Sequence, residues 1–174
     1  MLRYAQNVSE LTREEFIGLA TGEQESLRRF LLSLCGDPAE ADDIAQDALV
    51  NAYVASASFR GAARFSTWLF RIAYNCFIDR LRSRKLQTSP LDAPPAQTVP
   101  GPDATDGRFR HEDLHRAIGR LPDKERAALL LFYMEDKSVK EIAVILEIPA
   151  GSVRAYLTRG RRHVKEYLEK WKTR

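Results

Sequence analysis

The sequence predicts an all-α protein built as two small helical domains joined by a flexible linker, and three observations carry that prediction. Apolar residues recur at spacings of three and four along most of the chain. Helix start signals of the Ser/Thr-x-x-Glu and Asp-Pro kinds stand in front of those runs. A proline-rich stretch interrupts the pattern and divides the 174 residues into segments 1–85 and 108–174, with 86–107 as the connection. With 44% hydrophobic and 29% charged residues, each segment can bury a modest core of its own.

In the first segment, Thr12 and Glu15 form a capping box for a helix through Leu19, and a second helix is expected from about Glu23 to Leu34, with Leu27, Phe30, Leu31 and Leu34 on one face. Gly36 ends it. Asp37-Pro38-Ala39-Glu40 then places a capping carboxylate, a proline at the first helical position and a glutamate beyond, starting a helix to about Ala55. Its inner face is Ala41, Ile44, Ala45, Ala48, Leu49, Ala52 and Tyr53; its outer face carries Asp42, Asp43, Gln46, Asp47 and Asn51. Acids near a helix N-terminus fit the helix dipole as well as they fit a docking surface.

Charge changes sign along this segment. Acids outnumber bases from Met1 to Ala55, whereas from Ser56 to Lys85 Asp79 stands against Arg60, Arg64, Arg71, Arg80, Arg82, Arg84 and Lys85. Within the basic half, Ser66 is expected to cap a helix whose apolar side is Leu69, Phe70, Ile72, Ala73, Tyr74, Cys76, Phe77 and Leu81. The opposite stripe, Thr67, Arg71, Asn75, Arg82 and Lys85, is expected to face outward and meet phosphate. The preceding loop brings Phe59, Arg60, Gly61 and Arg64 next to Phe65 and Trp68. Cations neutralise a nucleic-acid backbone and aromatic rings stack on an unpaired base. Spacing alone favours a core role for Phe65 and Trp68 over a stacking one.

The connection from Leu86 to Gly107 has Pro90, Pro94, Pro95, Pro100 and Pro102, acids, and no lysine or arginine, so it reads as a stiffened, extended tether. Beyond it, helices are expected over 111–120 and 123–135, separated by Pro122. Ser138 and Glu141 form a second capping box ahead of a short helix containing Val139, Ile142, Ala143 and Leu146. Glu147-Ile148-Pro149 turns the chain into a longer helix to about Trp171, with Val153, Leu157, Val164 and Leu168 inward. Two helices joined by so short a turn, the second rich in arginine, read as a helix-turn-helix. Ser152, Arg154, Thr158, Arg159, Arg161 and Arg162 form its outward set, and arginine suits guanine and phosphate.

Other functional classes find little support. Cys35 and Cys76 lie in apolar helical context, so neither a disulfide nor a thiolate metal site is expected. His111-Glu112-Asp113-Leu114-His115 matches H-E-x-x-H, but no third histidine follows at ligand distance, and no metal or cofactor is expected. No catalytic constellation, small-molecule substrate, glycine-rich phosphate loop or signal peptide is apparent, so a non-enzymatic cytoplasmic protein is expected.

Taken in order, DDIAQDALVNAY, FSTWLFRIAYNCFIDRLRSRK and SVKEIAVILEIPAGSVRAYLTRGRRHVKEYL closely resemble the extracytoplasmic-function (ECF) group of bacterial sigma factors over nearly the whole chain. The resemblance implies a region 2 domain at 1–85, a linker at 86–107 and a region 4 domain at 108–174. It implies that Asp42, Asp43, Gln46, Asp47 and Asn51 grip the clamp helices of the largest subunit of core RNA polymerase. It implies that Phe59, Arg60, Arg64, Phe65, Thr67, Trp68, Arg71 and Asn75 engage the minus-10 promoter DNA, and that Ser152, Arg154, Ala155, Thr158, Arg159 and Arg162 read the minus-35 element. Contact with the flap of the second-largest subunit and an anti-sigma partner are implied as well. Glu147 departs from a glycine common in the turn, Ala155 and Tyr156 replace more polar residues, and Gly160 interrupts the reading helix at a cost of about 1 kcal/mol. The alternative is an autonomous helix-turn-helix regulator that binds duplex DNA without polymerase.

Overall fold

A computed structural model of the chain describes residues 11–87 and 108–172. Among the described residues the regular structure is entirely helical: α1 (Arg13–Cys35), α2 (Pro38–Ala55), α3 (Phe65–Gln87), α4 (Arg108–Gly119), α5 (Asp123–Tyr133), α6 (Val139–Leu146) and α7 (Ala150–Lys172), with a short 3-10 turn at Ser56–Ser58. The linker and the far N-terminus lie outside the described residues, as does the side chain of His111 in the H-E-x-x-H stretch.

The expected pair of N-terminal helices is one continuous α1. Gly18 and Gly22 each weaken it, yet Phe16, Ala20 and Leu27 continue a single buried face across both, and the Thr21 hydroxyl donates to the Ile17 carbonyl at 2.7 Å. Tertiary burial outweighs propensity here. Thr12 and Glu15 form the capping box, and Gly36 closes the helix in the left-handed region at φ 74°. Asp37 caps α2 by accepting from Glu40 N at 2.8 Å.

Ser66 does not cap α3. The Arg64 carbonyl accepts from Trp68 N at 3.1 Å, which puts the cap at Arg64, and the Ser66 hydroxyl accepts instead from Lys137 Nζ at 2.9 Å. α3 packs on α1 and α2 along Leu69, Phe70, Ala73 and Phe77, all essentially buried. The leucine and phenylalanine side chains each contribute about 1.5–3 kcal/mol on leaving water.

The two helical groups are not held apart. α6 lies against α3 and α5 against α1, and the buried apolar residues of both groups form one continuous cluster. Around it run polar ties: Arg126 donates to the Leu34 carbonyl at 2.7 Å, Arg29 pairs with Glu135 at 3.1 Å, and Lys137 Nζ sits 4.9 Å over the Phe70 ring. Burial pushes the Glu135 carboxyl up, an effect Arg29 partly offsets.

In the second group, α6 and α7 form the expected helix-turn-helix. Glu147 ends α6 in the left-handed region at φ 53°, which accounts for glycine being the easier residue there. Gly160 has a packing role as well as a propensity cost: a Cβ at that position would lie 2.8 Å from Leu129 Cδ1, so its absence lets α5 and α7 approach closely.

The second capping box is formed as expected, with Ser138 Oγ accepting from Glu141 N and Glu141 Oε2 accepting from Ser138 N. Those bonds hold the Glu141 carboxyl below its usual range despite partial burial. The folded-state value is therefore the lower one, so this contribution is complete above the ordinary glutamate pKa and is lost as pH falls through the depressed value. Ser138→Ala is expected to cost about 1 kcal/mol and to reduce that acid-limb dependence. Urea unfolding at pH 7 and below pH 4 checks both.

Candidate nucleic-acid interface

α2 and α3 frame a cleft of about 730 Å³ whose walls carry Asp43, Asp47, Asn51, Cys76 and Arg80. The helical period of α2 exposes Asp43, Gln46, Asp47 and Asn51 together because the alanines between them are buried against α1 and α3. Asp42 sits at the edge of this face, half-buried, where Arg28 Nε donates to it at 2.5 Å and holds its carboxyl below the usual range. Asp47 meets Arg80 at 3.5 Å, and Asn51 Nδ2 donates to Cys76 Sγ at 3.4 Å. The face presents acid on the outside and is ordered by α3 from behind.

At the far end of α2 the chain turns through Ser56–Ser58 and Gly61, at φ 65°, into α3. Phe59, Phe65 and Trp68 make a cluster, with ring centroids 5.9 Å apart for Phe59 and Phe65 and 5.0 Å for Phe59 and Trp68. Phe65 is core, packed edge-on against Phe16 as well, whereas Phe59 and Trp68 remain half-exposed beside the exposed Arg60 and Arg64. Phe59 and Trp68 pack against the same core while keeping part of their surface outside it.

The outward stripe expected on α3 is split. Thr67 is 1% exposed because α6 covers it, and its hydroxyl donates to Glu141 Oε1 at 3.3 Å. Arg71 remains on the surface but is paired with Glu147, Nη2 to Oε1 at 2.7 Å and Nε to Oε1 at 2.8 Å. Asn75 is half-buried and Arg82 is exposed, paired with Asp79 at 3.4 Å. Two carboxylates of the second helical group therefore pair with Thr67 and Arg71, two members of the expected stripe. Behind them the Tyr74 hydroxyl is buried without a protein partner, and burial, with Asp123 and Tyr156 nearby, pushes its pKa up to about 12. The sequence displayed Glu141 and Glu147 only as a cap and a turn residue; nothing local signals contacts more than seventy residues away.

On α7, Arg154, Ala155, Thr158, Arg159 and Arg162 are exposed and Ser152 is half-buried, so the expected reading set shares one surface. Arg162 pairs with Glu166 at 3.7 Å along the helix. Arg159 is engaged by the Tyr156 ring, 4.9 Å away, and by Glu125 at 3.5 Å. Arg161 turns elsewhere and lines an apolar groove of about 470 Å³ with Leu114, Ile118, Leu130 and Met134. Among the described residues there is no group of three or more potential metal ligands, and no helix is long and apolar enough to cross a membrane.

Comparison with known proteins accounts for this ordered set of surfaces. Residues 19–87 match Sigma-70 region 2 and residues 111–164 match Sigma-70 region 4. The chain is 35% identical to the ECF RNA polymerase sigma factor SigW of Bacillus subtilis over 83% of its own length and 84% of that protein. It is 32% identical to the RNA polymerase sigma-H factor of Pseudomonas aeruginosa over 84% of its length and 82% of that protein. In structure it resembles the sigma factor RpoE of Bartonella quintana, solved in complex with the anti-sigma factor NepR, with a TM-score of 0.78 and 26% identity over 90% of this chain and 98% of that one. Matches to both sigma regions do not favour the autonomous regulator, and the chain belongs to the ECF group of RNA polymerase sigma factors.

Proposed function

We propose that this sigma factor docks on core RNA polymerase through the acidic face of α2, captures the minus-10 strand with the 59–64 loop and the start of α3, and reads the minus-35 element with α7. The observation that carries this reading is the order of three chemically distinct surfaces on one chain: an acidic cleft, a cation and aromatic cluster, and an arginine-bearing second helix of a helix-turn-helix. Extruding a base costs a few kcal/mol, which stacking on Phe59 and Trp68 and phosphate contacts from Arg60 and Arg64 offset. Catalysis then belongs to polymerase, and the chain works in the cytoplasm with it.

The apolar groove beside Arg161 is assigned to the flap of the second-largest subunit. An anti-sigma partner is supported by the Bartonella relative, whose solved structure contains one. Because Glu141 and Glu147 cover Thr67 and Arg71, α3 must part from α6 before it can read DNA.

Mixing the purified chain with core polymerase, and adding the housekeeping sigma factor as competitor, tests the reading. One-to-one, competitive binding is expected. No binding by a folded chain, together with tight binding of duplex DNA by the chain alone, would transfer the assignment to an autonomous regulator. Replacing Asp43 and Gln46 together with alanine is expected to weaken core binding by about tenfold or more while the melting temperature holds, since both are exposed. Arg154→Ala is expected to lose about 1–3 kcal/mol of minus-35 discrimination, measured by competition between promoter variants.

A further inference from the structure

Glu125 meets the α7 surface only through Arg159, and the fold buries it almost completely, with its side chain 6% exposed. A carboxylate removed from water needs charged or hydrogen-bonding partners. Both side-chain partners of Glu125 come from α7 and stand one turn apart. Arg159 Nε lies 3.5 Å from Oε1, and His163 Nδ1 lies 2.7 Å from Oε2, where the imidazole donates. Between these two sits Gly160, where an added Cβ would be 3.6 Å from Glu125 Cβ. The helices are therefore closely packed beside Glu125, with Leu129 the tighter contact.

Arg159 is held from two directions. Tyr156 lies against its guanidinium face at 4.9 Å, and Glu125 takes its Nε edge. That leaves the N–H groups of the two terminal nitrogens, on a side chain 48% exposed, for an external acceptor. A long exposed arginine otherwise loses rotamer freedom on each contact it makes, and a guanidinium already aimed loses less.

The geometry points to Glu125 as a positioning residue for minus-35 recognition: from α5, without touching DNA, it fixes the direction in which Arg159 reaches the base edge. This rests on the reading of α7 as the minus-35 helix. It assigns part of the base preference to a residue outside the helix-turn-helix.

The test uses holoenzyme reconstituted from the full chain and core polymerase, presented with duplex promoter fragments randomised across the minus-35 element. Arg159→Ala is expected to lose preference at one base position. Glu125→Gln is expected to lose preference at that same position by about five- to tenfold, with the other minus-35 positions, the minus-10 preference and core affinity unchanged. Combining the two substitutions is expected to do no more than Arg159→Ala alone. Glu125→Met fills the same space without charge and releases Arg159 and His163 to solvent, so it carries the test if the glutamine variant is unstable. Uniform weakening at every base, or additive losses in the double variant, would mean that Glu125 only supports the fold and would overturn the proposal. A glutamate variant that leaves untouched the base moved by Arg159→Ala overturns the proposal alone; if Arg159→Ala moves no base, the register of α7 and the proposal fall together.

Discussion

Replacing Arg126 with alanine is expected to lower the stability of the free chain by about 2–4 kcal/mol. The side chain is 12% exposed and joins three partners: Nη1 donates to the Leu34 carbonyl at 2.7 Å, and Nη2 donates to Asp123 Oδ1 at 2.8 Å and to the Leu121 carbonyl at 3.4 Å. Leu34 lies in the last turn of α1, where carbonyls lack helical donors and where α1 has no basic residue of its own. Arg126 therefore supplies, from α5, the cation that the end of α1 lacks. Truncation leaves the Leu34 and Leu121 carbonyls without that donor and strips a tie between the two helical groups. Lysine keeps the charge but not the fork, so Arg126→Lys is expected to recover only part of the loss. Denaturant unfolding measures the cost, and amide exchange around Leu34 to Gly36 locates it; an unchanged midpoint in the alanine variant would show that the tie contributes nothing.

What the sequence made legible was local. Capping at Thr12, Asp37 and Ser138, termination at Gly36 and the helix-turn-helix period are each decided within a few residues, and each appears as expected. Where tertiary contacts decide, local reasoning failed. The expected break between Leu19 and Glu23 is overridden by the continuous buried face of α1, and Ser66 offered a capping hydroxyl that Lys137 takes instead. The stripe on α3 was legible as polar but not as covered, because its partners Glu141 and Glu147 belong to another part of the chain. Gly160 and Glu147 were visible as oddities whose reasons, the close approach of Leu129 and the reach to Arg71, exist only in three dimensions. The surfaces on α2 and α7 were legible because one helix supplies each, and amphipathic periodicity alone places such residues on a common face.

The double variant Glu141→Gln, Glu147→Gly is expected to loosen the contact between α3 and α6 and to raise the affinity of the free chain for single-stranded DNA by about tenfold. Neither change threatens the local fold. Glutamine retains the capping box with Ser138, and glycine at position 147 removes a left-handed penalty of about 1–2 kcal/mol. What disappears is the charge opposite Thr67 and Arg71, so the cost falls on the contact between α3 and α6 rather than on either helix. The buried, unpartnered Tyr74 hydroxyl acts in the same direction, because parting the helices returns it to water. Anisotropy of a labelled single strand measures affinity, and energy transfer between labels on α1 and α7 measures separation. Both should change together, the DNA gain should shrink as salt rises, and Arg71→Ala in the same background should remove it. A double variant that melts at the wild-type temperature or above, yet neither opens nor binds DNA better, would show that these carboxylates do not hold α3 against α6. Glu147 stands at a left-handed position that glycine would fill with less strain, so on the proposed function its carboxylate is what this position adds beyond the turn.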